Sequence, residues 1–473
     1  MLFNSMDFVY FGAIVFSLYW LLYNRSRIQN VLLLIASYFF YGWMHKAFPI
    51  YLLALTLIGY GSGWLLSNSK DIRRRKITFV LSIILATACL AVLKYTNFVI
   101  ETINGLFNSK SNGISALHLL VPVGISFYTF TTIGYITDVY REKIAPEKDF
   151  ITYGAYVSFF PHLLSGPIPS ASETLPQFAA QRKFSMDHIQ AGATQIIWGL
   201  FKKMVIADNI SLAANYCFAN YSHNYGSTLF IGAVLFGFQM YADFSGYSDI
   251  ARGVAKLFAI DIFQNFHYPF FCKNIQDFWH RWHVSLTKWF NEYIFMPVIV
   301  DKRNWGVWGV VFGLMVTFTI SGLWHGAGWT FVIWGALHGI GLSYEVLTKK
   351  WRGRLKKKLP AALFNTIVHL LLFLFLIFTW IFFKADTIQD AFGFYKNMFT
   401  LQFFNKPPVF IYSNLKWVLL LLVVEWLFRK RAYVLDFIGK YRWLQLILCA
   451  GVIVMIYLWH KKMNMQEYYY FKF

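Results

Sequence analysis

The sequence predicts an all-α polytopic membrane protein, a bundle of about 11–12 transmembrane helices with re-entrant and interfacial helices beside them. Three observations predict it. Of 473 residues, 58% are hydrophobic and only 14% charged, where a soluble domain carries roughly 25% charged residues. Apolar segments recur at 6–22, 29–43, 49–67, 77–94, 115–136, 190–217, 227–246, 306–323, 329–346, 361–383, 412–428 and 443–460. Most are near the ~20 residues that cross a bilayer. Basic residues sit in short clusters between these segments, as the positive-inside rule requires.

Composition excludes other classes. A formal charge of +21 invites a nucleic-acid reading. That would need a basic face on a folded soluble domain, and none is visible. Aromatic residues reach 21%, with 50 Phe, which suits lipid-facing surfaces and interfacial belts. Cys89, Cys217, Cys272 and Cys449 are far apart and read as small apolar packing residues. The N-terminus lacks the basic region of a signal peptide, and Asp7 precedes the first apolar run. No repeat, linker or soluble insertion stands out, so residues 1–473 read as a single integral membrane domain.

Loop charge sets the orientation. Arg25 and Arg27, Lys70 to Lys76, Arg141 and Lys143, the run Lys349 to Lys358, and Arg429 to Arg431 read as cytoplasmic. This places 386–411 and the C-terminus outside, although Lys461 and Lys462 follow the last apolar segment. Two stretches break the alternation. Residues 159–169 are apolar yet cut by three prolines and a glycine, and read as a short segment returning to the same side. Residues 246–290 are too polar to span and rich in Phe and Trp, and read as amphipathic helices at the cytoplasmic interface.

Three motifs carry the chemistry. Tyr241 to Gly253 ends an apolar segment with Asp243, Asp249 and Arg252. Asp249 and Arg252 stand at i, i+3, which permits a pair on one helix face. The plain reading is a charge cluster pinning a helix end; the functional one is a structural lock around a cavity. In Trp279-His280-Arg281-Trp282-His283, a continuous helix would put His280 and His283 on one face. That spacing alone is weak evidence for zinc; His325 could supply one further ligand, but no carboxylate or cysteine partner is obvious, so no metal is assigned. Arg281 and Lys288 could meet phosphates of a donor, though interfacial cations are more often lipid anchors. In Gly322-Leu323-Trp324-His325-Gly326-Ala327-Gly328, a titratable ring falls between two apolar runs. An imidazole at that depth is costly and marks a functional position. A helix hairpin with His325 near its bend would present the ring to a cavity. His338, on the following segment, reads as a packing residue.

These motifs resemble the membrane-bound O-acyltransferase family, in its bacterial alginate O-acetyltransferase-type subgroup. The resemblance rests on Val121 to Phe130, Gly199 to Lys203, Phe278 to Leu286 and Gly322 to Ala327, with the aromatic C-terminus Tyr468 to Phe473. It covers essentially the whole chain, and departs from the family pattern at Ser165 and Pro169. It implies a many-helix fold in a bacterial cell membrane, with His325 and His283 as the catalytic positions. Trp282, Trp324, Arg281 and Asp243 are the candidate substrate-binding residues. It also implies acetyl-CoA as acyl donor, membrane lipids around the bundle, and an extracytoplasmic serine esterase-like partner that acylates a polysaccharide. Desolvation favours a neutral imidazole, the form that removes a hydroxyl proton. Three alternatives stand beside this reading. They are D-alanyl transfer from a carrier protein to teichoic acid, a transporter or flippase of lipid-linked sugars, and a scaffold for a secreted enzyme.

Overall fold

The computed structural model describes residues 1–107, 113–400, 404–436, 442–460 and 468–472. Lys461 and Lys462 lie outside the described residues. Among the described residues all regular structure is helical. Seven helices are long and apolar enough to cross a membrane: Phe48–Asn68, Ile72–Leu106, Gly226–Leu257, Val307–His325, Trp329–Leu347, Ala361–Lys384 and Val409–Phe428. Other apolar segments form shorter helices, such as Met6–Leu21 and Ser26–Gly42. The segment predicted at 190–217 is helical too, but a π-helical stretch, Lys202–Ala207, interrupts it. The chain is a multi-pass membrane protein.

The fold divides into two compact units. One comprises Met1–Ile196, Ile250–Phe263 and Tyr470–Phe473; the other comprises Ile197–Asp249 and Gln264–Tyr469.

In the first unit, small residues let large ones in. A Cβ on Gly59 would stand 1.9 Å from the Tyr153 hydroxyl, and one on Gly63 would stand 2.6 Å from that of Tyr135. Helix Ile72–Leu106 has 35 residues. At 1.5 Å per residue it is about 52 Å long, well beyond the ~30 Å hydrocarbon core. Its excess length has a use. Asn97 and Asn104, two turns apart, hold the extended stretch 113–121 through its backbone: Asn97 exchanges bonds of 2.8 and 2.9 Å with Leu117, and Asn104 does the same with Ile114. The helix expected from residue 115 therefore starts only at Ile125. Pro122 and the left-handed Gly124 (φ +82°) turn the chain into it. Glycine is required there twice over, since a Cβ would stand 2.5 Å from the Leu163 carbonyl oxygen.

Residues 159–169 are wholly buried in this unit. Two short helices, Phe150–Ser158 and Phe160–Leu163, meet at a break. Ser37 accepts the Phe160 N–H at 3.0 Å, and Tyr156 donates to the Pro169 carbonyl at 3.2 Å. Irregular backbone survives at depth when protein supplies such partners.

The polar stretch after Gly246 departs from expectation. It is not an interfacial helix but continues helix Gly226–Leu257, whose apolar window is 89% buried. Polar composition misled because it read as contact with water or headgroups. The polar groups are instead neutralised inside the protein. The latter part of 246–290 holds two short helices, Ile275–Trp279 and Val284–Phe290.

Candidate functional site: a histidine at the end of a glycine-packed hairpin

Helices Val307–His325 and Trp329–Leu347 form a hairpin. Its closeness comes from two glycines. A Cβ on Gly322 would meet the Phe331 carbonyl oxygen at 2.2 Å, and a Cβ on Gly335 would meet that of Phe318 at the same distance. Gly326 and Gly328, both extended, carry the bend. His325 is the last residue of the first helix and 3% exposed. Aromatic rings surround it: Trp324 at 4.9 Å between centroids, Trp334 at 5.0 Å and Phe383 at 5.3 Å.

His283 reaches the same cluster from another element. It occupies the left-handed region (φ 45°) between helices Ile275–Trp279 and Val284–Phe290. A non-glycine residue there is uncommon and needs outside support. Asn265 supplies it: its carbonyl accepts the Val284 N–H at 3.0 Å and its side chain accepts that of Ser285 at 3.1 Å. The His267 N–H bonds the Arg281 carbonyl at 2.9 Å. Glu345, on the hairpin's second helix, accepts the Ile275 and Gln276 N–H groups at 3.0 and 3.2 Å. This ties the His283 segment to the hairpin. The fully buried His283 ring packs edge-on against Phe244 at 4.7 Å and lies 6.1 Å from Trp324. Burial pushes its imidazole down to about 3.

The structure thus gathers His283 and His325 around one indole, that of Trp324. It does not put His280 and His283 on one face. The helix breaks between them, His280 is exposed and His283 buried, so the pair expected from the spacing does not converge. Trp282 is buried among Phe266, Phe278 and Tyr241, at 5.2, 5.3 and 5.8 Å. Arg281 is one-third exposed and bonds Asp277 at 2.8 Å. Burial alone would raise the Asp277 carboxyl, but the bonds from Arg281 and the Lys273 N–H outweigh it and hold it below the usual carboxylate range.

Asp243 belongs to a separate buried network. Its carboxylate binds Lys203 at 2.7 Å and accepts the Tyr469 N–H at 2.8 Å. Lys203 also binds Asp208 at 2.9 Å and lies 4.6 Å over the Tyr468 ring. Beside it, Lys202 bonds Asp249 at 2.6 Å and Ser245 at 2.9 Å. Tyr241 donates to Glu425 at 2.6 Å. Both lysines open the π-helical stretch, where the register slips. Asp249 thus pairs with Lys202, and Arg252 donates to the Ile262 carbonyl at 3.1 Å. A small polar cleft adjoins this network, lined by Lys202, Tyr241, Asp249, Asn265, Tyr268 and Glu425 among others. Sequence reasoning missed Lys202, Lys203, Asp208 and Glu425 as site-building residues. The signal was present, since charges inside apolar segments need partners.

These features define a multi-pass membrane protein with buried histidines at its candidate site. Comparison with known proteins carries this further. The profile of MBOAT, the membrane-bound O-acyltransferase family, matches residues 142–383. The chain is 34% identical over 404 residues to the probable alginate O-acetylase AlgI of Pseudomonas aeruginosa, covering 85% of this chain and 75% of that one. It is 32% identical over 433 residues to the peptidoglycan O-acetyltransferase of Helicobacter pylori, covering 84% and 80%. It is 29% identical over 268 residues to the teichoic acid D-alanyltransferase of Bacillus subtilis, covering 54% and 66%. The chain belongs to the membrane-bound O-acyltransferase family, and its activity is that of an O-acyltransferase.

Proposed function

We propose that this chain takes an acetyl group from a cytoplasmic thioester, acetyl-CoA, and delivers it across the membrane for O-acetylation of an extracytoplasmic polysaccharide. An extracytoplasmic serine esterase-like protein is the proposed partner in the final transfer. The observation that carries this reading is the placement of His325, buried at the broken end of a glycine-packed hairpin with His283 across Trp324. Its similarity to two O-acetyl-transferring relatives over 84–85% of the chain supports acetyl as the cargo.

The chemistry follows from a neutral imidazole. His325 removes the proton from an acceptor hydroxyl as the oxygen attacks the thioester carbonyl. The new C–O bond forms, the C–S bond breaks, and the proton passes from His325 to the departing thiolate. Such general-base help is typically worth about 10²–10⁴-fold. His283 and Trp324 border the reacting groups and orient them. Arg281, with its outer edge exposed, pairs with a donor phosphate. Trp282 and Asp243 shape the site through their packing and ion pairs.

The test uses the full chain in proteoliposomes with labelled acetyl-CoA, or with a D-alanyl-charged carrier protein. Labelled acetyl should reach a hydroxyl acceptor, and His325→Ala should stop it without loss of membrane insertion. Transfer from the D-alanyl carrier alone would replace acetyl with D-alanine as cargo. Unchanged transfer by a well-folded His325→Ala protein would remove His325 from the mechanism.

A further inference from the structure

His338 lies on the second helix of the hairpin, one turn after Trp334, and is 1% exposed. Among the described residues neither of its ring nitrogens has a hydrogen-bond partner. The indole N–H groups of Trp334 and Trp279 have none either, and those side chains are 3% and 5% exposed. The three rings adjoin one another. Trp334 lies 4.8 Å from His338, Trp279 lies 5.1 Å from His338, and the two indoles are 6.0 Å apart. Trp334 is also the ring that touches His325, at 5.0 Å.

Leaving several polar nitrogens unsatisfied in an apolar interior costs stability, and phenylalanine would pack there without that cost. A cluster of this kind beside a reactive histidine points to a visitor that supplies the missing bonds. The chemistry of the cluster defines that visitor. An indole N–H only donates, and a neutral imidazole adds one more donor. Donors are in excess, so the visitor is mainly an acceptor. No Lys or Arg is among the three rings, so a phosphate or carboxylate would be buried without charge compensation. A neutral carbonyl oxygen meets both conditions. Further ring neighbours include Phe318, Phe375 and Phe383, at 6.4 Å and 5.2 Å from His338 and 5.1 Å from Trp334. These suit a short apolar acyl chain.

We infer that His338, Trp334 and Trp279 form a donor pocket for the carbonyl oxygen of the transferred acyl group. Negative charge grows on that oxygen as the hydroxyl attacks, and preorganised donors gain most at that moment. This inference rests on the proposed reading of the hairpin as the place of acyl transfer.

The test is steady-state acyl transfer by the reconstituted full chain, with acetyl-CoA as the probe. His338→Phe keeps a planar ring and removes both nitrogens. It should lower kcat by at least about tenfold and change the donor KM by less than about twofold. His338→Gln, which restores a donor, should recover part of kcat. Wild-type kcat in His338→Phe overturns the pocket, as does His338→Gln no better than His338→Phe. If His338→Phe does not yield a monodisperse protein, Trp334→Phe decides: a fall in kcat at constant donor KM supports the pocket, and an unchanged kcat overturns it. His325→Ala, assayed alongside, separates the two readings. An inactive His325→Ala with a fully active His338→Phe discards the pocket alone. An active His325→Ala with an impaired His338→Phe discards His325 as base and keeps the pocket.

Discussion

Gly322 and Gly335 stand opposite each other in the hairpin, and each occupies the space into which the other helix projects a carbonyl oxygen, so neither position has room for a methyl group. The obstruction is backbone and cannot rotate away. Gly335→Ala must therefore push the helices apart and move Trp334 away from His325. The expected result is a lower melting temperature in detergent and acyl transfer reduced at least about tenfold, since small displacements of reacting groups are costly. Gly61→Ala is the control. A Cβ there meets nothing within 4 Å, and alanine in a helix interior should stabilise by roughly 0.5–1 kcal/mol.

His283 gives the stability a pH dependence. Its imidazole is held down to about 3, against 6.5 when unfolded. Between these values the unfolded chain binds a proton that the folded one does not, so stability falls as pH drops below about 6.5. His283→Gln removes this contribution. Its melting temperature should decline less than that of the wild type between pH 7 and pH 5. Equal declines would remove His283 as the source.

Lys203 pairs with two carboxylates, Asp208 and Asp243, deep in the second unit. Removing one partner of a buried pair leaves a stranded charge, at a cost of about 3–5 kcal/mol. Lys203→Met should therefore unfold at markedly lower temperature. Asp243→Asn keeps an acceptor for the Tyr469 N–H and should cost less. The ranking of the two variants by thermal melting checks this.

Arg281 separates binding from folding. Its pair with Asp277 is part-exposed, and such pairs contribute at most about 1 kcal/mol. Arg281→Ala should leave the melting temperature nearly unchanged. It should raise the donor KM by roughly tenfold, the loss expected for one charge-assisted hydrogen bond. An unchanged KM would take Arg281 out of donor binding.

Much of this was legible in the residue order. The apolar segments at 306–323 and 329–346 became the two helices of the hairpin within a few residues. His325 stood out because a titratable ring between two such segments has few plain explanations. The His280–His283 pair was misjudged because helical spacing assumes an unbroken helix. Here the helix stops at Trp279, and His283 turns into the left-handed region under the control of Asn265. Nothing near residue 283 announces that support. Helix Gly226–Leu257 ran past its expected end for a related reason. Asp243 and Asp249 look solvent-seeking until Lys202 and Lys203, some forty residues earlier, are brought against them.

The sequence by itself determined that this chain lives in a membrane, how its segments alternate, and that His325 is exceptional. These follow from burial energies that each residue carries wherever it goes. Only the tertiary structure decided what His325 touches, that Trp324 adjoins both it and His283, and that His338 sits among indoles with no hydrogen-bond partner among the described residues. Those depend on distances between residues far apart in the chain, which glycine contacts and buried ion pairs set and local composition does not encode.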